Sequence, residues 1–271
     1  MNAFKQLLKA AGGHQPLGTW IVSASPIVAE AVGHAGFDWG VVDMEHTPLD
    51  TMGVLQVLQA LAATKMVPVV RVPWNDAVVI KRVLDTGATT LLVPFIEDAE
   101  AARRAVAATR YAPQGVRGMS GMSRAARYGT DPNYLKTANA GMGVIVQIET
   151  PLALERLEAI AAVEGVDALF IGPADLSAAM GYPGRPTHPA VMQAMTDAVE
   201  RCKAIDKPVG TVGNSPDTVA QYRAAGFDYL AVASDLGLLL RGAQAVLGAL
   251  RTPDAEHVHL LSSGTQTPTG Y

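Results

Sequence analysis

Cysteine is nearly absent from this chain. Cys202 is the only one in 271 residues, which excludes an internal disulfide and any thiolate metal cluster. Charge is also scarce, at 17% of residues against 49% hydrophobic. That balance excludes a disordered chain and predicts a large buried core. The net charge of -4 and pI near 5.8 come with no block of Lys or Arg, so nucleic acid is not expected as a partner. No run approaches the roughly 20 apolar residues needed to span a bilayer. Lys5 and Lys9 interrupt the apolar residues between Met1 and Gly13, so the N-terminus reads as a short amphipathic helix and not a signal peptide. A cytoplasmic location is the expectation. Neither a Gly-x-Gly-x-x-Gly after a first strand nor a P-loop is present, which argues against nicotinamide or ATP chemistry.

What is present is alternation. Short β-branched apolar runs at Gly18–Ser23, Trp39–Glu45, Val67–Val72, Thr90–Phe95, Val144–Glu149, Ala168–Gly172, Val209–Val212 and Tyr229–Ala233 are each followed by a stretch able to form a helix or loop. Parallel βαβ units give this pattern, and eight of them predict a single (β/α)8 TIM barrel over residues 1–251, with a mobile tail expected at 252–271, which is rich in Ser, Thr, Gly and Pro. The connection between the fourth and fifth runs, from Tyr111 to Gly129, is long enough to predict a functional loop.

Polar residues fall at the C-terminal ends of these strands, where barrel enzymes hold their chemistry. Glu149 and Asp175 end adjacent strands, and two carboxylates at one mouth point to a hard cation, Mg2+, Mn2+ or Co2+; caps or salt bridges are the alternative. Gln147 shares a strand face with Glu149 and would bond either a substrate or a neighbouring side chain. Arg71 is costly among β-branched residues unless it meets an anion, either an enolate or one of Asp43, Glu45 and Asp85. His46, three residues after Asp43, is the histidine placed for acid/base work. The seven lysines fall in helices or at strand N-terminal ends, which leaves no candidate for a Schiff base. The turns at Gly210–Asn214 and Ser234–Gly237 lie where barrels often bind phosphate, a weak signal.

Taken together, Val42-Asp-Met-Glu-His46, Pro68-Val-Val-Arg71, Tyr111 through Arg117-Gly118, Val146-Gln-Ile-Glu-Thr150 and Phe170-Ile-Gly-Pro-Ala-Asp-Leu-Ser177 resemble the HpcH/HpaI aldolases, class II pyruvate aldolases, over nearly the whole chain. The resemblance implies cleavage of a 4-hydroxy-2-oxo acid, such as 4-hydroxy-2-oxoheptanedioate or a 2-keto-3-deoxy sugar acid, to pyruvate and an aldehyde. By that likeness Glu149 and Asp175 bind the divalent metal, His46 with Asp43 is the acid/base pair, and Arg71 steadies the enolate. Gln147, Gly172, Pro173 and Ala174 hold the keto acid, and Trp20 joins them as a substrate-binding residue. A homohexamer with an exchanged C-terminal helix is implied as well, with Asp85 approaching a neighbouring site. The family often has Asp-Gly-Glu-His and Tyr-Pro-Pro where this chain has Asp43-Met44-Glu45-His46 and Tyr111-Ala112-Pro113, departures that bear on aldehyde specificity. A CoA-thioester lyase of the citrate lyase β type is the alternative.

Overall fold

The structure is a computed structural model that describes residues 2–10, 12 and 14–251; the tail expected at 252–271 lies outside the described residues. Its elements run α1 (Ala3–Ala10), β1 (Leu17–Ile21), α2 (Pro26–His34), β2 (Trp39–Asp43), α3 (Thr51–Leu61), β3 (Val67–Arg71), α4 (Ala77–Asp85), β4 (Thr90–Val93) and α5 (Ala99–Thr109). After a short 3-10 segment (Arg124–Gly129) follow α6 (Tyr134–Gly141), β5 (Gly143–Ile148), α7 (Pro151–Glu155), α8 (Leu157–Ala161), β6 (Ala168–Ile171), α9 (Pro173–Ala179), α10 (Pro189–Ala204), β7 (Val209–Gly213), α11 (Pro216–Ala225), β8 (Tyr229–Ser234) and α12 (Asp235–Arg251). The eight strands pair in sequence order, all parallel, and β8 closes on β1. This is the predicted (β/α)8 barrel, each strand within two residues of its expected limits.

The chain divides into two compact units, Met1–Asp235 and Leu236–Tyr271. The first holds the barrel. The described part of the second is the remainder of α12, an apolar-rich helix in which Leu239, Leu240 and Leu250 are exposed.

Strand alternation sorts the core into two layers. Val42, Val70, Leu91, Val146, Leu169 and Leu230 pack outward against the helices. Trp39, Val41, Val69, Leu92, Ile145, Ala168, Phe170, Tyr229 and Ala231 fill the interior. Gly210 makes room for this filling, since a Cβ there would meet the Tyr229 ring at 2.3 Å. The same period of two that buries Val41, Val69 and Ile145 brings Asp43, Arg71 and Gln147 inward, one step closer to the C-terminal mouth.

The opposite end is closed by α1. Phe4 inserts into the barrel and meets Trp39 and Tyr229 edge-on, with centroids 5.7 and 5.3 Å away. The Asn2 amide donates to Thr89 O (2.9 Å) and Gly141 O (3.0 Å).

Candidate active site

The exit of β2 decides where three functional groups go. Asp43 is the last residue of β2 and its register partner on β3 is Arg71. The two side chains meet in a bidentate pair, Nε to Oδ1 and Nη2 to Oδ2, each at 2.8 Å. Asp43 Oδ1 also accepts from the Glu45 N–H (3.0 Å), and the Thr47 hydroxyl donates to the Asp43 carbonyl. This tight turn returns Glu45 to Arg71, with Oε2 2.9 Å from Nη1, and carries His46 out to an exposed position. Arg71, 7% exposed, is thus held in its plane by two carboxylates, and its Cζ lies 5.2 Å from the centroid of the Trp20 ring. A planar guanidinium suits such bidentate holding in a way a lysine cannot.

Asp43 is therefore committed to Arg71, and among the described residues no hydrogen bond joins it to His46. His46 acts electrostatically on Glu45. Burial pushes the Glu45 carboxyl up, Arg71 and then His46 pull it down, and Asp43 and Asp175 add repulsion.

On the far side of the mouth, Glu149 follows β5 and is 1% exposed. Its Oε1 accepts from the Phe95 N–H (2.8 Å) and its Oε2 from the Gln147 amide. Phe95 stands just beyond β4 with φ +50, a left-handed conformation unusual for an aromatic residue and of the kind that gathers at functional sites. Gly172 leaves the space the Glu149 and Gln147 side chains need: a Cβ there would lie 2.5 Å from Glu149 Oε2 and 2.9 Å from Gln147 Nε2. The remaining amide atom, Gln147 Oε1, is buried with no partner. Burial pushes the Glu149 carboxyl up to about 7; the bond from Phe95 works against this, Asp175 and Glu45 add repulsion, and the Gln147 amide lowers it again.

Asp175, in the first turn of α9, completes the acid pair. Among the described residues no group of three or more His, Cys, Asp or Glu is arranged to hold a metal ion; the set here is two carboxylates. Those two fit a hard divalent cation on chemical grounds. The charge of Asp175 works against ionisation of Glu149, so positive charge between them is stabilising, and each carboxylate has lone pairs to spare. A cation held this way takes its other oxygens from water or substrate.

Above these groups opens a cavity of about 420 Å3 lined by Trp20, His46, Arg71, Gln147, Phe170 and the Gly172–Asp175 turn, with Val212, Asn214, Ala233 and Ser234 on the remaining side. Eight of the expected site residues line it, and Asp43 and Glu149 lie buried beneath. Asp85 does not. It ends α4 at the opposite end of the barrel, where it pairs with the buried Arg117 (3.0 Å). The long connection starts there too, since it runs from the end of α5 to the start of β5, so within this chain it lies away from the mouth.

Sequence reasoning named Glu45 as one of three alternative partners of Arg71, and the structure has it bonded together with Asp43; the wall from β7 and β8 was missed. The turns that contain Asn214 and Ser234 were visible as strand-end turns, but nothing in their spacing specified what they face.

The model of the family described as HpcH/HpaI aldolase/citrate lyase matches residues 17–242. A 2-dehydro-3,6-dideoxy-6-sulfogluconate aldolase from Pseudomonas putida is 50% identical over 87% of this chain and 92% of its own. A 4-hydroxy-2-oxo-heptane-1,7-dioate aldolase from Salmonella arizonae is 48% identical over 90% and 93%. Among solved structures, a HpcH/HpaI aldolase/citrate lyase family protein from Burkholderia cenocepacia superposes with a TM-score of 0.89 at 41% identity, covering 93% of this chain and 100% of that one.

Proposed function

The chain belongs to the HpcH/HpaI aldolase/citrate lyase family, its aldolase relatives mark it as a carbon–carbon lyase, and we propose that it cleaves a 4-hydroxy-2-oxo acid to pyruvate and an aldehyde with a divalent metal. The observation that carries this reading is a single cavity lined by a base, a cation, an amide and a carboxylate, His46, Arg71, Gln147 and Asp175, over the buried Glu149. The related aldolases named above act, by their names, on acids of the type that such a cleavage requires.

Glu149 and Asp175 would hold the metal, Mg2+, Mn2+ or Co2+. When bound it would supply Lewis acidity toward the oxygens of the oxo acid. Arg71 supplies fixed positive charge where the enolate oxygen develops, and its orientation is set in advance by Asp43 and Glu45, so no reorganisation is needed during reaction. The Gln147 amide, anchored through Nε2 on Glu149, offers substrate or its water an orienting contact. His46 takes the proton of the 4-hydroxyl. As the C3–C4 bond breaks, its electron pair moves toward C2 and forms the enolate, and C4 becomes the aldehyde carbonyl. Return of a proton to C3 gives pyruvate, and the reverse sequence gives aldol addition.

In this reading Asp43 acts on Arg71 as a positioning group. An oligomer remains part of the proposal, supported by the exposed leucines of α12, and light scattering of the purified protein tests it.

Pyruvate release from a panel of 4-hydroxy-2-oxo acids, before and after EDTA and with each metal restored, tests the main reading. Metal-restored pyruvate is the expected result. Turnover indifferent to chelation overturns the metal role, and cleavage of malyl or citramalyl thioesters in place of oxo acids overturns the substrate class.

A further inference from the structure

The cavity extends beyond what a pyruvate unit occupies. An oxo-acid end at Gln147, Arg71 and Asp175, as in the cleavage above, would leave the carbons from C4 onward to face the wall formed by the exits of β7, β8 and β1. Its lining side chains are those of Val212, Asn214, Ala233, Ser234 and Trp20, with Phe170 below: one amide, one alcohol and apolar groups.

Resting on the aldol cleavage above, we propose that this wall is the aldehyde subsite and that Asn214 and Ser234 recognise a hydroxyl on C5, the carbon next to the cleaved bond. An amide and an alcohol each donate and accept, which matches a hydroxyl, itself donor and acceptor. The apolar faces of Trp20 and Val212 cover the carbon chain.

The backbone is shaped to present this wall. Between β1 and β8 the register passes from Gly18↔Ala231 to Trp20↔Ser234, so two steps along β1 correspond to three along β8. The extra residue is a bulge, and Ala233 within it has φ +59, a left-handed conformation disfavoured for alanine. Bulges at barrel rims re-aim side chains. Here the bulge places Ser234, not Ala233, opposite Trp20, and both residues line the cavity. Two interior groups pin it. The Thr19 hydroxyl, fully buried, donates to Val232 O (3.0 Å), and the Asp235 carboxylate accepts from Val22 N–H (3.0 Å) and Ser23 N–H (3.2 Å). Such strain persists only where surrounding contacts enforce it.

The test compares two substrates that differ only at C5, a 4,5-dihydroxy-2-oxo acid and its 5-deoxy analogue, with wild type, Ser234→Ala and Asn214→Ala. Hydrogen–deuterium exchange at C3 of pyruvate, followed by NMR, reports the pyruvate half of the site independently. Wild type is expected to favour the 5-hydroxy substrate in kcat/KM. Each variant is expected to lower the ratio between the two substrates by about tenfold or more, the scale on which a lost hydroxyl contact is felt, while exchange is retained. A wild type without preference, or variants that slow both substrates and exchange in parallel, overturns the subsite. Failure of the wild type to cleave either substrate or to catalyse exchange overturns the underlying aldolase reading instead.

Discussion

Inside the strands at its N-terminal end, the barrel is filled by Phe4, Trp39 and Tyr229 and bonded through neutral groups, Asn2 to Thr89 O and Gly141 O and the Tyr229 hydroxyl to Leu169 O (2.6 Å), while the charges at that end, Lys5 with Asp167 (3.1 Å) and Arg117 with Asp85 (3.0 Å), stand in opposite-charge pairs. At its C-terminal end the same strands carry Asp43, Glu45, Arg71, Glu149 and Asp175 within one small volume. The first arrangement is what packing alone would select. The second buries charge whose desolvation exceeds its pairing, as the raised carboxyls of Glu45 and Glu149 register, and a fold keeps such an arrangement where chemistry requires it. Stability and reactivity are thus separated along the barrel axis, at the two ends of the same strands.

The sharpest way to break this comparison is Glu149→Gln, which removes a proposed metal ligand and is expected to abolish pyruvate release and metal binding together, measured by calorimetric titration and a coupled assay. Wild-type turnover in this variant would remove Glu149 from the site. At the other end, Phe4→Ala is expected to cost about 3–5 kcal/mol of stability, as large core truncations do, with kcat unchanged at temperatures where the variant is folded. Denaturant titration and steady-state kinetics check the two halves, and a matching loss of kcat would show that the ends are coupled. Arg71→Ala is expected to lower kcat by about 100- to 1000-fold, the scale for removal of an oxyanion donor. Arg71→Lys is expected to restore little of it, because a point charge cannot hold Asp43 and Glu45 in one plane.

The smallest effect sharpens the contrast. A carboxyl raised to about 7 in the folded protein binds its proton more tightly there than in the unfolded chain. Between the ordinary Glu pKa and 7 the native state therefore holds more protons, and stability of the metal-free protein falls as pH rises through that window. By linkage the difference is at most about 3 kcal/mol above pH 7. Glu149→Gln is expected to raise the thermal midpoint of metal-free protein at pH 8 and leave it nearly unchanged below pH 4.5. A gain of equal size at both pH values would assign the effect to packing.

Much of this architecture was legible beforehand because barrel strands covered on both faces read as continuous apolar runs, and Trp39–Asp43 or Val67–Arg71 cannot be taken for surface segments. Polar residues at the ends of such runs, Asp43, Arg71, Gln147 and Glu149, were legible for the same reason. Their partners were legible only as alternatives, Arg71 being open to an enolate, Asp43, Glu45 or Asp85. Asp43 stands three residues from His46 in sequence, which favoured pairing them, yet the register sets Asp43 opposite Arg71 and the bidentate geometry holds it there. The long connection read as a functional loop; its place at the N-terminal end follows from lying after a helix and before a strand.

Composition and periodicity by themselves determined a parallel α/β class, a count of eight strands that fits a barrel, and the level at which chemistry sits, because strands covered on both faces leave polar residues only at their ends. Only the tertiary structure decided which carboxylate meets the arginine, that Gly172 opens room for Glu149, and that a bulge in β8 brings Ser234 to face Trp20. These depend on strand register and on distances between residues far apart in the chain, and a linear pattern carries neither.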